Sequence, residues 1–202
     1  MTTTMHIFRA KHTVLAALFL ILVGLASCQT RPNLVIHESE PLSVVLREMP
    51  AGYPSLAPFN YAHVILPKDA FAILESLNYD AGSILPFSQG QRHRVFTRLQ
   101  AEFLAPELSK ALNLALPQEV AAFIVSDPEK PHRHTKGVAF VHGDDLHLII
   151  EELHKPVYEG EQKTYQQQVS RWSLLLGEGQ RHFSNHPGGR GVMTNWIITP
   201  LR

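Results

Sequence analysis

The chain has no excess of either charge and no obvious basic surface. Its 202 residues include 18 basic and 18 acidic side chains, so the formal net charge is zero. A protein that binds nucleic acid usually carries a basic patch or stripe, and the sequence contains none, so we expect no nucleic-acid partner. The hydrophobic share of 45% is that of an ordinary globular protein, long enough for one domain with its own core.

The sequence also lacks the motifs of common catalytic sites. It has no G-x-S-x-G nucleophile elbow, and its only cysteine is Cys28. The acidic pairs at 144–145 and 151–152 are adjacent in sequence, and adjacent strand residues point to opposite faces, so neither pair forms a ready acid/base dyad. The glycine-rich residues 186–191 precede a strand-like segment instead of a helix, which argues against a phosphate-binding loop. We interpret them as a flexible loop in which Arg190 is a candidate contact for an anionic partner.

The longest apolar run lies near the amino terminus. Residues 13–26 (TVLAALFLILVGLA) follow Arg9, Lys11 and His12, which is the order of a positive region and an apolar region in a secretory signal peptide. A retained membrane-spanning helix is the alternative. It needs roughly 20 apolar residues, and this run is shorter and ends in small residues, so the sequence favours a cleaved signal.

The end of this run, Leu25-Ala26-Ser27-Cys28, resembles the lipobox of bacterial lipoproteins. The resemblance implies cleavage between Ser27 and Cys28, diacylglycerol on the Cys28 thiol, and an acyl chain such as palmitate on the new amino terminus. Acylation would also remove the lone free thiol, which would be reactive in an oxidising compartment. Because Gln29 follows the cysteine where an Asp tends to retain lipoproteins in the inner membrane, we expect the outer membrane, facing the periplasm, in a bacterium with two membranes.

The residues after the signal divide into two predicted regions. Residues 28–59 contain five prolines, which disfavour helix and push their neighbours toward extended conformations. We interpret them as a lipid-anchored tether, with room for a short strand at 34–36 or 42–46. As a flexible coil it would span about 30 Å. We expect a single domain over residues 60–202.

The first part of this domain predicts a strand and two helical regions. Residues 62–66 form the strand candidate, and Pro67 suits the first position of the following helix. A second helical region begins at Thr97, where residues 97–100 (TRLQ) match a capping box, and Pro106 inside it predicts a kink or a second helix. One face of this region carries Leu99, Phe103, Leu108, Ala111, Leu112 and Ala115.

After Pro117 the pattern is that of strands. Residues 119–125 form one candidate, and 136–142 with 145–152 form a hairpin in which Gly143 and Asp144 suit a type II′ turn. Further candidates are 172–176 and 196–199. The order of elements predicts an α+β fold: a small antiparallel sheet with two or three helices packed on one face.

The hairpin also tests whether its histidines can converge on a metal ion. With a two-residue turn, position 142 faces 145 and position 140 faces 147, so His142 and His147 are diagonal neighbours on one face. The opposite face is apolar (Ala139, Val141, Leu146, Leu148 and Ile150) and predicts contact with the helices. We therefore expect the histidines on the wetter face, facing solvent or a partner. A metal site of His142 and His147 completed by Asp145 is the alternative use of that face.

Two functional hypotheses remain open from the sequence. The first is a lipid-anchored cell-envelope protein that acts without a cofactor as a binding or assembly module for another envelope protein. The second is a small envelope hydrolase or metal-binding protein that uses the histidine face of the hairpin. The lipobox is compatible with both hypotheses, and no other sequence motif separates them.

Overall fold

The computed structural model describes residues 32–54, 56–59, 64–82, 91–156, 172–186 and 191–201. The predicted signal peptide, the lipobox with Ser27 and Cys28, and Arg190 lie outside these residues. By its contacts the chain divides into Met1–Pro32, of which only Pro32 is described, and one compact unit that spans Asn33–Arg202.

Two antiparallel sheets and two helices make up the described part of this unit. The seven strands of the large sheet are β1 (Leu34–Glu38), β2 (Leu42–Glu48), β5 (Glu119–Ser126), β6 (Arg133–His142), β7 (Asp145–Pro156), β9 (Arg181–Ser184) and β10 (Val192–Pro200). The three strands of the small sheet are β3 (Asn78–Asp80), β4 (Arg92–Arg94) and β8 (Ser173–Leu175), and the helices are α1 (Pro67–Ser76) and α2 (Arg98–Leu114). Neighbouring strands follow the order β1-β2-β5-β6-β7-β10-β9 in the large sheet and β4-β3-β8 in the small sheet.

The predicted α+β fold class with a small sheet is wrong. Of the described residues, 46% lie in strands and 20% in helices, so the fold is mostly β. The predicted strand content was too low for a physical reason. The strands β3, β4, β8 and β9 have only three or four residues, too few for a period-two pattern to show. Pairing with neighbouring strands, which the local sequence does not encode, holds them extended.

The segment interpreted as a tether contributes two strands to the large sheet. β1 and β2 form the edge of that sheet, and β2 pairs along its whole length with β5. Pro41 lies in the turn between them and Pro50 follows β2, so neither proline has to donate a hydrogen bond to the sheet. Residues 34–48 therefore belong to the folded unit, which begins at Asn33 and not at residue 60.

Both faces of the large sheet are covered by apolar side chains. The helices pack on one face, and the main core there includes Ala139, Val141, Leu146, Leu148 and Ile150, as the hairpin pattern predicted. The other face carries a second buried cluster of Phe59, Val120, Val138, Phe140, Ile149, Trp196 and Ile198. Every residue of β7 from 146 to 150 is consequently buried.

Helix α1 begins at Pro67, as predicted, and α2 begins with the predicted capping box. The Gln100 backbone N–H donates to Thr97 Oγ1 at 3.2 Å, and the Thr97 N–H donates to Gln100 Oε1 at 2.8 Å.

Pro106 lies inside one continuous helix, so the two-helix alternative is wrong. Of the apolar residues predicted to share one face of this helix, Leu108, Ala111 and Leu112 are buried, whereas Leu99 and Phe103 are exposed. Among the described residues, no helix has the length and apolarity needed to cross a membrane.

The hairpin of β6 and β7 has the predicted register. His142 pairs with Asp145 and Phe140 pairs with His147. Gly143 has φ of +59°, while Asp144 is not among the residues with positive φ, which matches a type II′ turn. The candidate strands at 172–176 and 196–199 correspond to β8 and to part of β10. Residues 64–66 of the candidate at 62–66 are not in a strand, and residues 62–63 lie outside the described part.

Candidate functional site

His147 is the most enclosed of the histidines that the sequence singled out. Its side chain is on the second face of the large sheet, as the register predicted, but the residue is only 4% exposed. The ring stacks on Phe140 at 4.9 Å between centroids and meets Trp196 edge-on at 5.8 Å. The expectation that this face is the wet one is therefore wrong at His147, because the second apolar cluster surrounds the ring.

A hydrogen bond determines the chemistry of the His147 ring. The Trp196 Nε1–H donates to His147 Nδ1 at 3.2 Å, and because an indole nitrogen can only donate, Nδ1 must accept. The pKa of His147 is lowered to about 4, mainly by burial and in addition by the nearby His142, while Asp145 opposes the shift. The ring is therefore neutral at pH 7, with its proton on Nε2 and the Nδ1 lone pair engaged.

The other two members of the predicted metal set do not join His147. His142 is exposed, and its ring lies 5.9 Å from that of His147, at 86° to it. Asp145 accepts a hydrogen bond from Arg181 Nη2 at 2.6 Å. Throughout the part of the chain that the structure describes, no three His, Cys, Asp or Glu residues are placed to hold a metal ion. The hairpin brings the three residues near one another without forming a ligand set.

A cluster of charged residues lies on the same side of the sheet. The Glu151 carboxylate lies 3.0 Å from Lys136 Nζ and 3.7 Å from Arg47 Nη2. The neighbouring Glu152 lies 2.7 Å from His134 Nε2, and this contact is the main cause of its lowered pKa. Opposite charges are therefore matched across strands β2, β6 and β7.

The sequence did not predict this cluster, because a β-bulge creates it. The pairing of β6 with β7 shifts register between Lys136 and Gly137. Beyond the shift, the adjacent Glu151 and Glu152 both contact basic residues of β6. Strict alternation had placed the two acids on opposite faces, and a bulge interrupts that alternation.

Tyr53 lies beside this cluster and approaches Trp196 edge-on, with 6.0 Å between ring centroids. The pKa of Tyr53 is raised to about 12, mainly by burial and in addition by the negative charge of Glu151. A hydrogen bond with Asn195 and the charge of Arg47 oppose this shift. The phenol consequently stays protonated at neutral pH and can serve as a hydrogen-bond donor.

A second histidine group links the two sheets. His154 has φ of +48° and is the only non-glycine residue with positive φ in the described ranges. Its Nε2 lies 3.2 Å from the Val95 carbonyl oxygen, so this nitrogen donates. Its ring packs 5.9 Å from Tyr79, which packs in turn 5.4 Å from His93. Burial lowers the pKa of His154. The ring contacts of His154, Tyr79 and His93 connect β7 to the small sheet.

Comparisons with models of protein families, with characterised proteins and with solved structures find no match.

Two of the shallow depressions on the described surface are large enough to consider as binding sites. One, of about 380 Å³, lies between α1 and α2, where Arg98 sits over the Phe71 ring and pairs with Glu102 and Glu75. The other, of about 310 Å³, is lined mainly by residues 48–59 and is largely apolar. Neither depression contains the histidines of the hairpin.

Proposed function

We propose that the chain is the precursor of a lipid-anchored cell-envelope protein. Residues 1–27 act as the export signal, and Cys28 carries the lipid in the mature protein, on the periplasmic side of the outer membrane where the cell has two membranes. The observation that supports this proposal is the position of the folded unit. It begins at Asn33, five residues after Cys28, so cleavage before Cys28 would remove none of the described structure.

We propose further that the anchored domain is a binding or assembly module for another envelope protein and uses no cofactor. The side chains that first suggested chemistry have internal roles: His147 accepts from Trp196, Asp145 pairs with Arg181, and Glu151 faces two basic groups. Such pairings stabilise a fold. The hydrolase or metal-binding alternative has no comparable support, because two of its three residues are already engaged.

The anchor is tested by substitution of its cysteine. Cys28→Ser should accumulate as uncleaved precursor and should no longer incorporate a radiolabelled fatty acid, because the thiol that receives the lipid is missing. Thr30→Ser, two residues away and outside the four lipobox positions, is the matched control and should be processed and labelled like the wild type. Continued labelling of Cys28→Ser would contradict the assignment.

The binding role is tested in the native host. Chemical cross-linking of intact cells, followed by purification from detergent-solubilised membranes, should recover the same envelope protein in repeated experiments. Mislocalised Cys28→Ser should recover less of it. Repeated recovery of no partner from the wild-type protein would contradict a binding or assembly module.

A further inference from the structure

The short distance between Cys28 and the first strand restricts how the domain can stand on its membrane. This inference rests on the proposed lipid anchor. Leu34, the first residue of β1, is six residues after Cys28, and six residues span at most about 20 Å when fully extended. The 30 Å tether expected from the prolines is therefore replaced by a much shorter connection, because residues 34–48 are part of the sheet.

The residue at which the connection ends identifies one end of the domain. Leu34 pairs with Leu46 of β2, and two residues further along β2, Glu48 pairs with Glu119 at the start of β5. The end of α2 reaches the same place, since the Leu116 N–H donates to Glu119 Oε2 at 2.8 Å. We call this the entry end: the start of β1, the end of β2, the start of β5 and the end of α2.

The segment that precedes α1 also lies beside the last turns of α2. The Ile65 carbonyl accepts from Ser109 Oγ at 2.6 Å and from Asn113 Nδ2 at 3.1 Å. The Ile65 N–H donates to Asn113 Oδ1 at 3.2 Å. These bonds hold Val64 and Leu66 next to the carboxyl-terminal half of α2, and therefore near the entry end.

Five large apolar side chains near the entry end are exposed to solvent. They are between 37% and 76% exposed, and they are half of the large exposed hydrophobic residues in the described ranges: Leu34, Val35, Val64, Leu66 and Leu114. Exposed lysines flank them, with Lys68 two residues after Leu66 and Lys110 one helical turn before Leu114. Apolar groups with flanking lysines suit the interfacial region of a bilayer, where the lysine heads reach lipid phosphates.

We propose that the entry end is a lipid-contacting surface that holds the domain against the membrane in a defined orientation. The short connection favours a lipid surface over a protein as the occupant, because it keeps Leu34 within about 20 Å of the lipidated residue. The opposite end of the sheet, at the turn between β5 and β6, is one β5 length away, or about 25 Å. That end faces away from the membrane and is available to a partner.

Because Cys28 is the only cysteine of the chain, a single introduced cysteine can be labelled specifically. In the lipidated protein the Cys28 thiol is blocked, so an introduced cysteine is the only free thiol. Leu114→Cys and Val64→Cys report on the entry end, and Glu129→Cys, exposed in the turn between β5 and β6, is the matched control. Each lipidated mature protein, residues 28–202, is labelled with an environment-sensitive, thiol-directed fluorophore. It is then reconstituted into vesicles of phosphatidylethanolamine and phosphatidylglycerol that contain a doxyl-labelled lipid.

The expected result is a several-fold stronger quenching by the doxyl lipid at positions 114 and 64 than at 129. Equal quenching at all three positions, or none, in protein whose lipidation is verified by mass, would overturn the orientation and leave the anchor intact. If the wild-type protein itself reacts with the thiol-directed fluorophore, its Cys28 thiol is free, and this result would overturn the anchor itself. Protection of positions 114 and 64 by a bound protein, in place of lipid quenching, would also contradict the proposal.

Discussion

Gly137→Ala is expected to destabilise the fold strongly, because β6 has no space for a side chain at this position. A Cβ at Gly137 would overlap the Ile149 carbonyl oxygen and lie 2.7 Å from Phe123 Cζ. Neither atom can move freely, since one belongs to the backbone of β7 and the other to a ring that is 1% exposed. Overpacking of a core costs about 1–3 kcal/mol.

The expected loss is at the upper end of that range. Replacing glycine restricts the unfolded chain, which offsets the loss by about 0.4–1 kcal/mol, but two immobile neighbours resist the added methyl group. We expect the free energy of unfolding to fall by about 2–3 kcal/mol. Urea denaturation followed by tryptophan fluorescence measures it, because the chain has two tryptophans and Trp196 is fully buried.

Gly177→Ala is the matched control for this substitution. The nearest atoms to a Cβ there belong to the side chain of Gln180, whose Oε1 lies 3.0 Å away and accepts from the Gly177 N–H. A shift of this side chain by a few tenths of an ångström relieves the contact, so the free energy of unfolding of Gly177→Ala should change by less than about 1 kcal/mol. If Gly137→Ala were as stable as this control, the close packing of β5, β6 and β7 around Gly137 would be incorrect.

Three further predictions concern hydrogen bonds and protonation. Trp196→Phe leaves His147 Nδ1 buried without its donor and should cost about 2 kcal/mol in urea denaturation; an unchanged midpoint would mean that the bond is absent. Because burial lowers the pKa of His147 to about 4, the unfolded chain binds more protons below pH 6.5. The free energy of unfolding is therefore unaffected by the titration of His147 above pH 6.5 and decreases as the pH falls toward 4, by up to about 3 kcal/mol. His147→Gln should flatten the dependence of the free energy of unfolding on pH between 6.5 and 4. An unaltered slope would mean that another group causes it. Thr97→Ala removes the acceptor of the Gln100 N–H and should lower the free energy of unfolding by about 1 kcal/mol, whereas Thr97→Ser should restore most of it.

Local chemistry explains which parts of the fold were predictable. The start of α1 at Pro67, the capping box at Thr97 and the hairpin turn at Gly143 each depend on a few adjacent residues. The register of the hairpin follows from its turn, so the pairing of His142 with Asp145 was also predictable. Each of these features has its cause within a short stretch of sequence.

The extent of the large sheet and the environment of the candidate site were not predictable in this way. The five prolines of residues 28–59 favoured a tether with at most a short strand at 34–36 or 42–46, but both strands form, because β1 pairs with β2 and β2 pairs with β5. His147 was placed on the correct face, but its ring is buried because the cluster of Phe140, Trp196 and Phe59 covers this part of the face. The charged contacts of Glu151 and Glu152 depend on a bulge between β6 and β7. All three features depend on residues far apart in the chain.

The sequence by itself determined the short-range features of this protein: the lipobox-like residues that end in Cys28, the helix caps, the hairpin register and the apolar face of that hairpin. Only the tertiary structure decided how close the fold begins to Cys28, which histidine is buried, and which exposed apolar residues gather at the entry end. The physical reason is that caps and tight turns arise from neighbouring residues. Burial and strand pairing arise from contacts across the sheet, which a linear pattern does not specify.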